Sequence, residues 1–374
     1  MSDTLTSKLN PLSLPLRQQL GLIALVLLAF TPFWMGFLYA GDQGLLHIRT
    51  ITIALFIGMF AMSWDSVSGY TGQISFGHAL FFAIGGYGSA LLNLGWGVPP
   101  LAAVVLGTVL AAVAGLLIGV PALRLEGPYL SLVTLVAPLI LLQVFIWRSD
   151  IFGGELGIPN PDPLVATSGF AQETYVFFYV AFALFVLILA VLLAVTRSDA
   201  GSVLTAIRED EDAVAASGLN PAKFKTFAFV LSASVGGLAG AVFVHTPMAS
   251  PTPSQLLAQT VSIEVIIAAV LGGMGTIVGA ALGGMFLSIF RSQLSNVDFV
   301  VPGLGVSVGD LDLVIFAVGT LIILFALPGG VLRWGIVAGR KLVGSDGAAA
   351  DGGRTPVEQT LEKFREFFRG GRDD

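Results

Sequence analysis

The chain has 374 residues, of which 55% are hydrophobic and 11% charged, with a formal net charge of −6. Soluble domains carry about 25% charged residues, and a chain this apolar would aggregate in water, so a water-soluble globular fold is excluded. The acidic balance argues against a nucleic-acid partner, and the absence of cysteine rules out disulfides and thiolate sites.

Crossing a bilayer core takes about 20 apolar residues. Lys8 and Arg17 precede the first such run, Leu20–Tyr39. It is longer than a signal-peptide core and no A-x-A site follows, so it reads as a span. The next runs are Ile48–Trp64, Ile74–Leu94, Pro100–Leu123, Tyr129–Trp147 and Thr174–Thr196. After a polar stretch come Thr226–His245, Ala258–Leu271, Thr276–Phe290 and Leu311–Leu327. The expected fold is therefore all-α, a polytopic bundle of about ten membrane segments. The membrane domain covers 20–340, after an N-terminal segment 1–19 and before a tail 341–374. The eighth and ninth runs are short and joined by Gly272-Gly273-Met274-Gly275. They are either two short spans or one broken, partly re-entrant element, which needs cover from protein or a watery cavity.

Orientation follows the Lys and Arg residues. Of the 18, eight lie past Leu332 and four between Arg197 and Lys225. With six spans before Arg197 and four after Lys225, these segments share one side with both termini, which is then cytoplasmic. Ser149–Glu173 falls outside and holds Asp150, Glu155, Asp162 and Glu173 but no base. The tail 343–354 has linker composition. Thr355-Pro356-Val357-Glu358 then has the form of a capping box, followed by Leu361, Phe364 and Phe368 at helical spacing. This is a short amphipathic helix, lying on the membrane or on a partner.

No lysine sits in a G-x-x-x-x-G-K-[ST] loop, so the chain has no P-loop for ATP. His47, His78 and His245 lack ligand-spaced neighbours, and no hydrolase triad stands out; no metal and no cofactor are expected.

Four regions carry the polar chemistry. The first is the glycine-rich break Gly69–His78, where Gly72, Gln73, Ser75 and His78 either line an aqueous path or cap close helix packing. The second, Arg124–Tyr129, has turn chemistry. The third is 201–225, in which Thr205–Gly218 reads as one short helix. Gly218 suits its left-handed end, and Asn220-Pro221 stops it. The fourth contains Glu264 in an apolar run and the break Gly272, Gly273 and Gly275. A carboxylate at such a depth is costly, so it either faces a pathway or braces the broken helix. No second intramembrane acid or base stands out to form a proton relay.

Taken together, G-Y-T-G-Q-I-S-F-G-H-A at 69–79, L-R-L-E-G-P-Y-L at 123–130 and A-I-R-E-D-E-D-A-V-A-A-S-G-L-N at 206–220 resemble one family. So do S-I-E-V-I-I-A-A-V-L-G-G-M-G-T-I-V-G at 262–279, Gly153–Ile158 and Leu327-Pro328-Gly329-Gly330. The family is the M-type inner-membrane permeases of branched-chain amino acid ABC transporters, and the resemblance covers roughly 45–335. It implies a multi-pass subunit that is not itself an enzyme. It also implies ABC ATPase subunits, a second homologous permease, an external substrate-binding protein and the bilayer as partners. The implied ATPase-coupling residues are Arg208, Glu209, Asp210, Glu211, Ala213, Ala216 and Gly218. Permeases for urea and short-chain amides share the pattern. A self-contained secondary transporter or channel is the alternative from another class.

Overall fold

A computed structural model describes residues 16–39, 41–123 and 129–295, with isolated positions between 311 and 322. The Arg124–Pro128 turn, most of the expected span Leu311–Leu327, the Leu327–Gly330 motif and the tail helix lie outside the described residues. Within them the chain forms α1 Leu16–Ala29, α2 Thr31–Leu38, α3 Asp42–Thr71, α4 Ala79–Trp96, α5 Pro100–Ala122, α6 Tyr129–Trp147 and α7 Ser149–Phe152. A 3-10 turn Gly154–Leu156 leads to α8 Phe170–Thr196, α9 Asp199–Glu209, α10 Glu211–Ala216 and α11 Pro221–Val244. α12 Pro253–Leu256, α13 Gln259–Gly273 and α14 Ile277–Ser295 complete them.

Eight helical stretches are long and apolar enough to cross a membrane, with α12 and α13 taken as one; the bent α1–α2 pair would be a ninth. The expected polytopic bundle is therefore present, with four departures. The first span is not continuous but bends by 55° after Ala29. Pro32, near the start of α2, cannot donate to the preceding turn and begins a new helix instead. The second span is longer than its apolar run, 30 residues rather than Ile48–Trp64, because its polar ends find partners. Ser66 Oγ donates to Ser63 O at 2.7 Å, Thr71 Oγ1 donates to Val67 O at 2.8 Å, and Asp65 Oδ1 accepts Gly275 N–H at 2.7 Å. The third span starts at Ala79, not Ile74, so residues 72–78 are non-helical. Finally, α13 and α14 are separate helices turning at 274–276, which decides for two spans over one broken element.

Between apolar helices in lipid there is no hydrophobic drive, so contact depends on small residues that let backbones meet. A Cβ on Gly85 of α4 would lie 2.1 Å from the Gly237 carbonyl of α11, and one on Gly237 would lie 2.1 Å from Ala111 Cβ of α5. α11 is the most enclosed span, 72% buried, whereas α6 is 22% buried and faces outward. At one face of the bundle, α9 and α10 pack on the ends of α3, α8 and α11. At the opposite face, Trp96 and Trp147 end α4 and α6 with their rings exposed, where amphipathic rings suit a membrane interface.

Candidate functional site

The break at 72–78 is non-helical backbone inside a bundle of spans, and such backbone persists in a membrane only if its polar groups are met from elsewhere. Side chains of three helices, α3, α6 and α13, meet them. Ser131 Oγ donates to Ile74 O at 2.7 Å, and Phe76 N donates to Thr134 Oγ1 at 3.1 Å. Trp64 Nε1 donates to Ser75 O at 2.7 Å, and Ser75 N to Ser68 Oγ at 3.3 Å. Gln259 Nε2 donates to Phe76 O at 3.1 Å, and Ala79 N to Ser262 Oγ at 3.0 Å. A Cβ on Gly77 would stand 1.9 Å from Thr134 O, so the break lies directly on α6.

This geometry separates the four residues expected there. Gly72 is exposed and Gln73 half-buried, whereas Ser75 and His78 are buried. His78 stacks on Phe60 and its Nε2 lies against the hydroxyls of Ser63 and Ser232. Ser75 and His78 are thus enclosed by protein in this conformation, whereas Gly72 and Gln73 reach its surface.

The Gly272–Gly275 break has a similar split. A Cβ on Gly272 would lie 1.9 Å from Gly279 O, so this glycine permits the close approach of α13 and α14. Gly273 and Gly275 adopt φ of 122° and 80° to make the turn. Glu264 is partly exposed and ion-paired with Arg291 of α14. The sequence reading found no second charged group in this region; the structure supplies two. Arg291 is one, and Asp65, fully buried in α3, is the other. Asp65 Oδ1 accepts the Gly275 N–H at 2.7 Å. An acid beside Trp64 at the end of an apolar run was the signal that could have pointed to it.

The polar loop 197–225 forms two helices, not the single one expected. The chain extends at Asp210, with φ −158° and ψ 101°, and the Asp210 carboxylate caps α10 by accepting Ala213 N–H at 2.9 Å. An Asp competes with the helix for backbone donors and so starts a new one. Gly218 is left-handed at φ 88° and ends this pair, as its position in the sequence suggested. Asn220 then caps α11 through Lys223 N–H, with Pro221 following. Glu209, Asp210, Glu211, Ala213 and Ala216 are exposed. Lys225 Nζ lies 2.6 Å from Glu211 Oε1 and is nearly buried. Val203, Ala206, Val214 and Leu219 line a shallow groove of about 450 Å³ rimmed by Glu209 and Asp210. Arg208 bridges this rim and the bundle: Nη2 donates to Glu209 Oε1 at 3.0 Å, and Nη1 donates to Gly69 O at 2.8 Å.

At the opposite face, Asn93 of α4 holds the 148–169 loop by accepting Asp162 N–H at 2.8 Å. His245 Nδ1 donates to Asp162 O at 2.6 Å, and burial keeps its imidazole below the ordinary range.

The sequence profile described as "Branched-chain amino acid transport system / permease component" matches residues 46–327, an interval that contains both breaks and the loop helices. The chain belongs to this permease family. It is 31% identical over 304 residues to the high-affinity branched-chain amino acid transport system permease protein LivM of Escherichia coli K12, covering 75% of this chain and 69% of that one. The LivM protein of Salmonella typhimurium matches with the same figures. A probable LivM of Methanocaldococcus jannaschii is 25% identical over 321 residues, covering 75% and 92%. No solved structure matches the chain. The permease is thus a multi-pass integral membrane subunit of an ABC import system and not an enzyme.

Proposed function

We propose that this permease carries branched-chain amino acids inward across the inner membrane, with ATP hydrolysed on partner ATPase subunits that dock at α9–α10. The observation that carries the reading is the exposed groove between α9 and α10, apolar in its floor and acidic at its rim. A small paired-helix wedge of this kind moves as a rigid body when a partner cleft closes on it. Glu209, Asp210 and Glu211 supply the polar contacts, Ala213 and Ala216 allow close approach, and Gly218 returns the chain to the membrane. The face bearing α9–α10 is then cytoplasmic with both termini, and the Asp162 loop faces the external binding protein.

A second permease of related sequence completes the path. Its support is that the probable LivH permease of Methanocaldococcus jannaschii is 25% identical to this chain over 197 residues. We assign the path to Gly72, Gln73 and Glu264, which reach a surface. Gly272, Gly273 and Gly275 shape the turn beside it, and Ser75 and His78 brace the break from within.

Uptake assays in vesicles carrying the permease with its ATPase, paired permease and binding protein test this. Leucine, isoleucine or valine should be imported and should stimulate hydrolysis. Import of urea in their place would replace the substrate assignment, and import without an ATPase would overturn the energetic one.

A further inference from the structure

Arg208 faces the membrane bundle although it lies on the helix pair assigned to the ATPase. Its Nη1 donates to Gly69 O, near the end of α3, at 2.8 Å. The same nitrogen stands 2.7 Å from where a Cβ on Gly275 would be. Gly275 N–H in turn donates to Asp65 Oδ1, one turn before Gly69 on α3. A Cβ on Gly69 would lie 2.1 Å from Asp65 Oδ1 and 2.6 Å from Gly275 N. Four residues from three separate parts of the chain thus share a space that admits no side chain at either glycine.

We propose that Arg208 and Asp65 form a latch that transmits displacement of α9 to the α13–α14 hairpin and the end of α3. This rests on α9–α10 being the ATPase contact. Both ends of the linkage are stiff. Arg208 sits in the last turn of α9, whose buried Leu204 and Ile207 anchor it to the bundle. Thr276 Oγ1 and N–H both bond Gly273 O, closing the hairpin turn. Gly272, Gly279 and Gly283 bring α13 and α14 into backbone contact, so the hairpin moves as a unit. It carries Glu264, the charged residue assigned to the path. Asp65 and Arg208 are positioning residues: neither needs to touch the solute.

The test uses the whole transporter in vesicles and measures solute imported per ATP hydrolysed, a ratio that mere loss of folded protein leaves unchanged. Asp65→Ala should lower this ratio about tenfold, within the range of coupling between distant sites. Asp65→Asn keeps an oxygen that accepts from Gly275 N–H and should restore most of the ratio. Arg208→Ala should lower the ratio likewise, with Arg208→Lys milder because an ammonium still donates to Gly69 O. The double variant Asp65→Ala with Arg208→Ala should be no worse than the worse single, since groups on one linkage are non-additive. The latch is overturned if Asp65→Ala matches the unmodified chain, if Asp65→Asn is as poor as Asp65→Ala, or if the two losses multiply. Failure of the docking reading would look different: the unmodified chain itself would show no solute-stimulated hydrolysis.

Discussion

His78 Nε2 lies 2.7 Å from Ser63 Oγ, inside the bundle where α3, α4 and α11 meet. Ser63 and Ser232 each donate a hydroxyl to the other's carbonyl, at 2.8 and 2.6 Å. Their remaining lone pairs face the imidazole, which suits a hydrogen on Nε2. His78, which sequence patterning offered either as a path liner or as part of close helix packing, lies at the centre of a three-helix polar contact in this structure.

The absence of cysteine makes this directly measurable. In membranes bearing single-cysteine variants, Gln73→Cys should react with a small polar thiol reagent and His78→Cys should not. Fast labelling at position 78 would return His78 to the path.

The close approach of α9 to the end of α3 predicts a cross-link. A Cβ on Gly72 would lie 3.7 Å from Arg208 Cβ, within the usual disulfide range of about 3.5–4.5 Å. Gly72→Cys combined with Arg208→Cys should oxidise to an intramolecular disulfide, visible as a mobility shift that reductant reverses. No shift under mild oxidant would mean that α9 does not rest on α3.

Gly218 separates backbone strain from crowding, because a Cβ there meets nothing within 4 Å but the φ is +88°. Gly218→Val should therefore cost about 1–2 kcal/mol through conformation alone. Asn tolerates the left-handed region, so Gly218→Asn should be milder. Solute-stimulated hydrolysis in vesicles should fall for the Val variant and be largely kept for the Asn variant. Equal behaviour of the two would remove the conformational role.

Glu211 has a structural duty besides any contact with an ATPase, since its partner Lys225 has a side chain only 7% exposed. Glu211→Ala strands that ammonium and should destabilise the purified protein by about 2 kcal/mol. Adding Lys225→Met should recover most of the loss. A thermal melt in detergent reads both steps, and unchanged melting in Glu211→Ala would show that the pair is idle.

The loop that carries Asp162 should loosen in acid. Burial lowers the His245 value in the folded protein, outweighing the Asp162 carbonyl that raises it. A depressed histidine favours the folded state only while neutral, so its contribution is full above the ordinary value of about 6.5 and declines as pH falls below it. The protection factor of Leu164 N–H, which bonds His245 O at 3.3 Å, should fall below about pH 6.5 once the intrinsic slowing of exchange in acid is divided out. His245→Gln should abolish that pH dependence; the same acid response in the variant would exclude the imidazole as its source.

Much of this architecture was legible in the sequence because the bilayer imposes a single strong rule. Every span must be long, apolar and internally hydrogen-bonded, so spans, the Gly72–His78 break, the Gly272–Gly275 break and the capped loop at Gly218 show in linear order. What linear order cannot carry is the direction of a side chain or the identity of a distant partner. Arg208 reads as a surface charge until Gly69, 139 positions away, is seen beside it. The same holds for Ser75 and His78, polar in sequence yet buried, and for Asp65, which the apolar pattern ends just short of. A buried polar group is tolerated only when its hydrogen bonds are met, and in a helical bundle those partners come from other helices. Hydropathy therefore determined where the chain crosses the membrane, while tertiary contact alone decided which of its polar residues hold the helices together.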